Sequence, residues 1–157
     1  MKKLVVYYSL SGNTRAVAKR IARTLRADLM EIRTVKSYPD DYDVLLSLGQ
    51  KEIRSGYMPQ IEQLPFDANR YETIVLGTPV WWSSYAPAVK KFMAGVSWKG
   101  KKVYPFATHG GDLGHTPSDL RKAMRGAQVS PVLGIRFENG TQVTPAGDVK
   151  TWVTAIE

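Results

Sequence analysis

Near its start the chain passes from strand to helix through Ser9-Leu10-Ser11-Gly12-Asn13-Thr14, a turn with one apolar residue in six. Before it, Leu4-Val5-Val6-Tyr7-Tyr8 is a continuous apolar run, the pattern of a strand buried on both faces. After it, residues 15–26 place Val17, Ala18, Ile21, Ala22 and Leu25 on one helical stripe. A doubly buried strand that feeds a helix directly points to a parallel sheet covered by helices.

The same turn carries chemistry. The first backbone N–H groups of a helix have no intrahelical partner, and the helix dipole favours negative charge beside them. Ser9, Ser11, Asn13 and Thr14 add side-chain donors there, and Gly12 lets the backbone approach closely. This is the composition of a phosphate pocket. A capped helix start without a ligand is the plainer alternative, but four hydroxyl or amide residues in six exceed what a cap requires. No lysine lies between Ser9 and Thr14, as a nucleotide-triphosphate loop would need, and Gly12 stands alone where a dinucleotide fingerprint needs three glycines. A loop without a cation suits one phosphate monoester held by neutral donors.

In this form Ser9-Leu10-Ser11-Gly12-Asn13-Thr14 resembles the FMN-phosphate loop of flavodoxins, Ser/Thr-x-Thr/Ser-Gly-Asn-Thr. Gly77-Thr78-Pro79-Val80-Trp81-Trp82 resembles the Gly-x-Pro-x-Trp-Trp stretch of short bacterial flavodoxin-like proteins, and Thr108-His109-Gly110-Gly111 extends the likeness over nearly the full chain. The resemblance implies a three-layer α/β fold: a five-stranded parallel sheet of order 2-1-3-4-5 with helices on both faces. Ligands of such sheets bind beyond the carboxyl ends of the strands where the order reverses. Flavodoxins are themselves a standard example of that rule, so the match in order is a comparison with a known case.

Taken in order, strands and helices alternate throughout. Residues 28–34 alternate apolar and polar and suggest a strand near a sheet edge. Residues 41–55 form a helix with Val44, Leu45, Leu48 and Ile53 inward, weakened by Gly49, and residues 58–68 form a loop. Residues 73–78 are a buried strand followed by a loop at residues 79–84, then a helix with Pro87 in its first turn and Ala88, Val89, Phe92 and Met93 on one face. Residues 102–108 form a strand and residues 109–115 a glycine-rich loop. Thr116-Pro117-Ser118-Asp119 reads as a capping box that opens a helix to Ala127. An uninterrupted strand at residues 129–137, a turn at Glu138-Asn139-Gly140 and a helix with Val149, Trp152, Val153 and Ile156 inward complete the chain. Its 157 residues form a single domain, 1–157, large enough for a proper core.

The three unusual loops follow the first, third and fourth of these strands. The resemblance implies that all three hold FMN: Ser9, Leu10, Ser11, Gly12, Asn13 and Thr14 at the phosphate, Thr78, Pro79, Val80, Trp81 and Trp82 at the ring, and Thr108, His109, Gly110, Gly111 and Asp112 at its pyrimidine end. One tryptophan is expected on the flavin and the other in the hydrophobic layer; packing of both against the next helix is the plainer reading. The third loop has no aromatic residue besides its imidazoles, which leaves one ring face open to a substrate or partner. His109, Asp112 and His115 do not read as a metal site, for no third strong ligand accompanies the two histidines.

Composition narrows the function. Cysteine is absent, which excludes disulfides, thiolate metal sites and the cysteine nucleophile of low-molecular-weight phosphatases. A phosphorylatable receiver domain needs aspartates where Tyr8-Ser9 and Thr78 stand. No run is long enough for a signal peptide or a membrane span, so a cytoplasmic location is expected. The net charge is +8, with Arg15, Lys19, Arg23 and Arg26 along one side of the first helix and Arg20 nearby. Such a stripe is ordinarily a solvated face; its functional reading is attraction of an acidic partner or anionic substrate. Nucleic acid fits less well, since no aromatic ladder interleaves the basic residues. The expected function is therefore an FMN-binding electron carrier that works with a redox partner protein bearing an acidic docking surface, or with a small-molecule oxidant. The alternatives are an FMN-dependent NAD(P)H:quinone or small-molecule reductase and a flavin-free interaction module.

Overall fold

In the computed structural model, which describes residues 2–156, hydrophobic side chains alternate across a central sheet. Met1 and Glu157, both within the single domain expected from the sequence, lie outside the described residues. The first strand, β1 (Lys3–Tyr8), shows the pattern best. Its Val5 and Tyr7 face one layer with Val17, Ala18 and Ile21 of α1 (Asn13–Leu25), while Leu4, Val6 and Tyr8 face the other. Strand β2 (Asp28–Ile32) follows, and then α2 (Tyr42–Ser55), capped by the Asp41 carboxylate accepting from the Val44 N–H at 3.0 Å. Next come β3 (Thr73–Trp81), β4 (Ser84–Tyr85), α3 (Pro87–Ala94) and β5 (Lys102–His109). The chain closes with α4 (Thr116–Ala123), β6 (Gln128–Val129), β7 (Leu133–Glu138), β8 (Thr141–Gln142) and α5 (Ala146–Thr154).

The sheet runs β2-β1-β3-β5-β7-β8, with β6 beside β5 and β4 beside β3. Its parallel part has the expected order, because β6 and β7 share the fifth position and both pair with β5. Among the described residues the sheet has eight strands, since two short antiparallel strands, β4 and β8, fold back on β3 and β7. Helices α1 and α5 cover one face, where Val149, Val153 and Ile156 join the α1 residues. Helices α3 and α4 cover the other through Val89, Phe92, Met93 and Leu120. Each such buried aliphatic or aromatic side chain contributes roughly 1.5–3 kcal/mol to folding.

Five expectations need correction. The last strand is interrupted at residues 130–132, where Pro131 has no N–H to give to a ladder. Thr116 is the first residue of α4 and not its cap; its hydroxyl donates to the Ser83 carbonyl at 3.4 Å, and the helix stops at Ala123 instead of Ala127. Val44 is 52% exposed, so the inward face of α2 is formed by Leu45, Leu48, Gly49 and Ile53. Residues 79–81, expected in a loop, extend β3.

Candidate functional site

Helix α1 begins without a side-chain cap, at Gly12 with φ 98°. The first helical bond runs from the Ala16 N–H to the Gly12 carbonyl at 3.0 Å. Among the described residues, the N–H groups of Asn13, Thr14 and Arg15 therefore have no backbone partner. The Gly12 N–H donates to Ser9 Oγ at 3.1 Å, which bends residues 9–12 into a compact turn. Ser11 is exposed and Asn13 half-buried, and neither side chain hydrogen-bonds to a described residue. Leu10 is 41% exposed at the outside of the turn.

Thr14, fully buried, links the first loop to the third: its Oγ1 lies 2.8 Å from Oγ1 of Thr108. Thr108 is in turn in register with Pro79, so the carboxyl ends of β1, β3 and β5 lie side by side. Thr78 fixes the second loop by accepting from the Ala86 N–H at 3.1 Å and donating to the Pro79 carbonyl at 2.8 Å. The three stretches singled out in the sequence thus meet at one edge of the sheet.

The second stretch is a hairpin. Val80 opposes Tyr85 and Trp81 opposes Ser84, which leaves Trp82 and Ser83 as a two-residue turn with φ 44° and 66°. Both values lie in the left-handed region, where such turns normally carry Asn and Gly. The surroundings hold the turn in place. The Ser83 carbonyl accepts from the His115 N–H at 2.8 Å as well as from Thr116. Ser84 donates to the Asp119 carboxylate at 2.7 Å, and His115 Nδ1 contacts the same oxygen. A Cβ on Gly114 would fall 2.4 Å from that of Ser83, so the two loops fit only because residue 114 is glycine.

The two tryptophans separate. Trp81 is buried edge-on against Tyr8 and Tyr38, with ring centroids 6.0 and 5.1 Å away. Tyr38 donates to the nearly buried Glu52 at 2.7 Å, and burial followed by that carboxylate pushes the phenol pKa up. Trp82 is half-buried over Gly49 of α2, where an added Cβ would sit 2.5 Å from the indole. Gly49 therefore allows a close approach, which the sequence registered only as a weak point in the helix. Leu10, Leu45, Leu46, Val80, Trp81 and Trp82 line an apolar cavity of about 310 Å³.

In the third loop Gly110 and Gly111 are exposed with little around them, and the Asp112 carboxylate accepts from the Gly114 N–H at 2.9 Å. His109 Nδ1 is, among the described residues, the buried side-chain polar atom left without a partner. Burial lowers its pKa below the usual 6.5, with Asp112 opposing and Arg136 reinforcing.

Arg15 was not legible as part of this edge. It counted in the sequence only towards a basic stripe, yet its Nη2 donates to Glu31 at 2.6 Å and its Nη1 would be 4.0 Å from a Cβ on Gly12. Glu31 also accepts from Arg33 at 3.1 Å. Burial alone would raise the Glu31 carboxyl, but Arg15, with Arg33 and Tyr7 behind it, holds it below its ordinary value. The spacing of Arg15 from Gly12 was visible in the sequence; its pairing across β1 with a β2 residue was not. Lys19, Arg20, Arg23 and Arg26 are exposed, and no described helix is long and apolar enough to cross a membrane.

Comparison with known proteins agrees with this architecture. Among curated proteins the sequence has no match. A protein from Bacteroides uniformis, to which a flavoprotein character is ascribed, superposes with a TM-score of 0.83 at 25% identity over 98% of this chain and 97% of its own. A similarly described protein from Bacteroides eggerthii gives 0.81 at 25% identity, with 99% and 97% covered. A Lactobacillus acidophilus flavoprotein solved in complex with FMN gives 0.75 at 25% identity, with 96% and 97% covered. The family profile described as flavodoxin matches residues 2–156, and the chain belongs to the flavodoxin family.

Proposed function

We propose that the chain binds FMN at the edge where the loops after β1, β3 and β5 meet, and that it works as an electron carrier. The observation that carries this reading is the uncapped start of α1, where three N–H groups have no partner among the described residues, tied through Thr14 to the glycine-rich loop after β5. The residues fit the cofactor: residues 9–14 offer N–H, hydroxyl and amide donors and no carboxylate, and Gly110 and Gly111 leave the third loop open. An unpartnered buried nitrogen on His109 in that loop agrees with a missing polar group.

In this assignment Ser9, Leu10, Ser11, Gly12, Asn13 and Thr14 surround the phosphate. Trp82, the more exposed indole, offers aromatic surface to the ring, together with Thr78, Pro79, Val80 and Trp81 of the hairpin. Thr108, His109, Gly110, Gly111 and Asp112 border its pyrimidine end. When bound, the flavin supplies reversible electron transfer; the chain orients it and sets the surrounding charge. The net charge of +8 and the exposed Lys19, Arg23 and Arg26 favour a redox partner with an acidic docking surface.

A second reading, an FMN-dependent reductase of quinones or other small molecules, has one observation in its favour. The apolar cavity beside the hairpin contains no charged side chain and suits an uncharged flat molecule. Purified protein should show flavin absorption in the visible, and the released ligand should have the mass of FMN; colourless protein that ignores added FMN in calorimetry overturns the proposal. Rapid mixing of the loaded protein with NADPH separates the two readings. Bleaching without a partner reductase favours the enzyme, and persistence of the oxidised spectrum favours the carrier.

A further inference from the structure

We infer that Arg15 supplies the positive charge missing from the phosphate loop and that Glu31 positions it, so that the site selects phosphorylated over unphosphorylated flavin. The inference rests on the FMN reading above and adds to it a residue from outside the loop. Residues 9–14 contain no cation, and a phosphate monoester carries nearly two negative charges at neutral pH. Arg15 is the first cation along the chain after the turn and stands in the first turn of α1, beside the unpaired N–H groups.

The geometry goes beyond adjacency in sequence. One guanidinium nitrogen, Nη2, is fixed on Glu31 at 2.6 Å, and the other, Nη1, faces Gly12 at 4.0 Å from where a Cβ would be. Glu31 is only 14% exposed and accepts from Arg33 through its other oxygen, so it is a rigid anchor. Tyr7, buried on β1, is in register with Glu31 on β2. Ser9, Leu10, Arg15 and Glu31 are among the residues that line a cleft of about 310 Å³, together with Arg33 and Asp40. Gly12 makes the turn through its left-handed φ, and the guanidinium lies beside it. A charge held in place by a carboxylate loses less freedom on binding an anion than a free surface arginine does.

Calorimetric titration of the flavin-free full chain with FMN and, separately, with riboflavin tests this at low ionic strength. Wild type should bind FMN far more tightly than riboflavin, with added salt narrowing the gap. R15Q should weaken FMN binding by about tenfold or more while leaving riboflavin within about twofold, and R15K should fall between. K19Q, which removes an exposed positive charge from the same helix without touching Glu31, should keep the wild-type ratio. A purely structural role for Arg15 would lower both affinities together, so an unchanged FMN-to-riboflavin ratio in R15Q overturns the inference while FMN binding stands. Wild-type protein that binds neither flavin overturns the FMN reading itself.

Discussion

The hydroxyls of Thr14 and Thr108, 94 residues apart in sequence, meet at 2.8 Å inside the protein. Each is the other's partner in a place that water does not reach, so the first turn of α1 and the end of β5 are coupled at the edge of the sheet. Replacing one threonine by valine keeps the shape but strands the other hydroxyl, at a cost of about 1–3 kcal/mol. In a double-mutant cycle by urea denaturation, T14V/T108V should cost clearly less than the sum of T14V and T108V. Strictly additive costs would show that the two hydroxyls do not act as a pair.

Gly49 and Trp82 make a second testable pair. In an ordinary helix interior, glycine to alanine stabilises by about 0.5–1 kcal/mol. Here the new methyl would sit 2.5 Å from the indole. G49A should therefore destabilise, by about 1–3 kcal/mol as overpacking does. The same change in a W82A background should stabilise. A G49A protein that melts above wild type would contradict the packing.

The Glu31 carboxyl lies below its ordinary value of 4.5 in the folded protein: burial would raise it, but Arg15, Arg33 and Tyr7 together outweigh burial. The sign follows: the ionised form stabilises the fold, fully so above the ordinary value, and this contribution disappears as pH falls through the depressed folded value. E31Q should be less stable than wild type at neutral pH and should lose less further stability between about pH 5 and pH 3. Parallel stability–pH curves for the two proteins would rule out Glu31 as a contributor.

Charge should also be visible in the redox behaviour of the FMN-loaded protein. A chain carrying +8 favours adding negative charge to a bound flavin, which raises the midpoint potential. Salt screens that effect, since the Debye length shrinks from about 30 Å at 0.01 M to about 3 Å at 1 M. The potential measured by spectroelectrochemistry should fall over that range. A potential independent of salt would assign the basic residues to solubility alone.

The alternation of strands and helices and the polar turn were legible because both depend on local pattern, whereas the strand order and the meeting of the three loops came from the resemblance to flavodoxins. Leu4 to Tyr8 can only be buried on both faces, and the polar turn from Ser9 to Thr14 can only stand at a helix start. Features that depend on distant partners were hidden. The extension of β3 through Trp81 needs Ser84 and Tyr85 opposite it, and the left-handed Trp82 and Ser83 break the usual glycine rule because His115, Thr116 and Asp119 hold the turn from outside. Thr116 looked like a cap because its spacing to Asp119 is right, but both side chains are engaged with the hairpin instead. Arg15 looked like one more surface charge until β2 placed Glu31 beside it.

The grip of His115 and Thr116 on the Ser83 carbonyl has a kinetic consequence. Hairpin tip and glycine-rich loop are riveted into one plate, so neither can swing aside alone to admit a bulky ring. The His115 amide, which donates to the Ser83 carbonyl, should therefore exchange for deuterium in step with the amides of the β3–β4 hairpin.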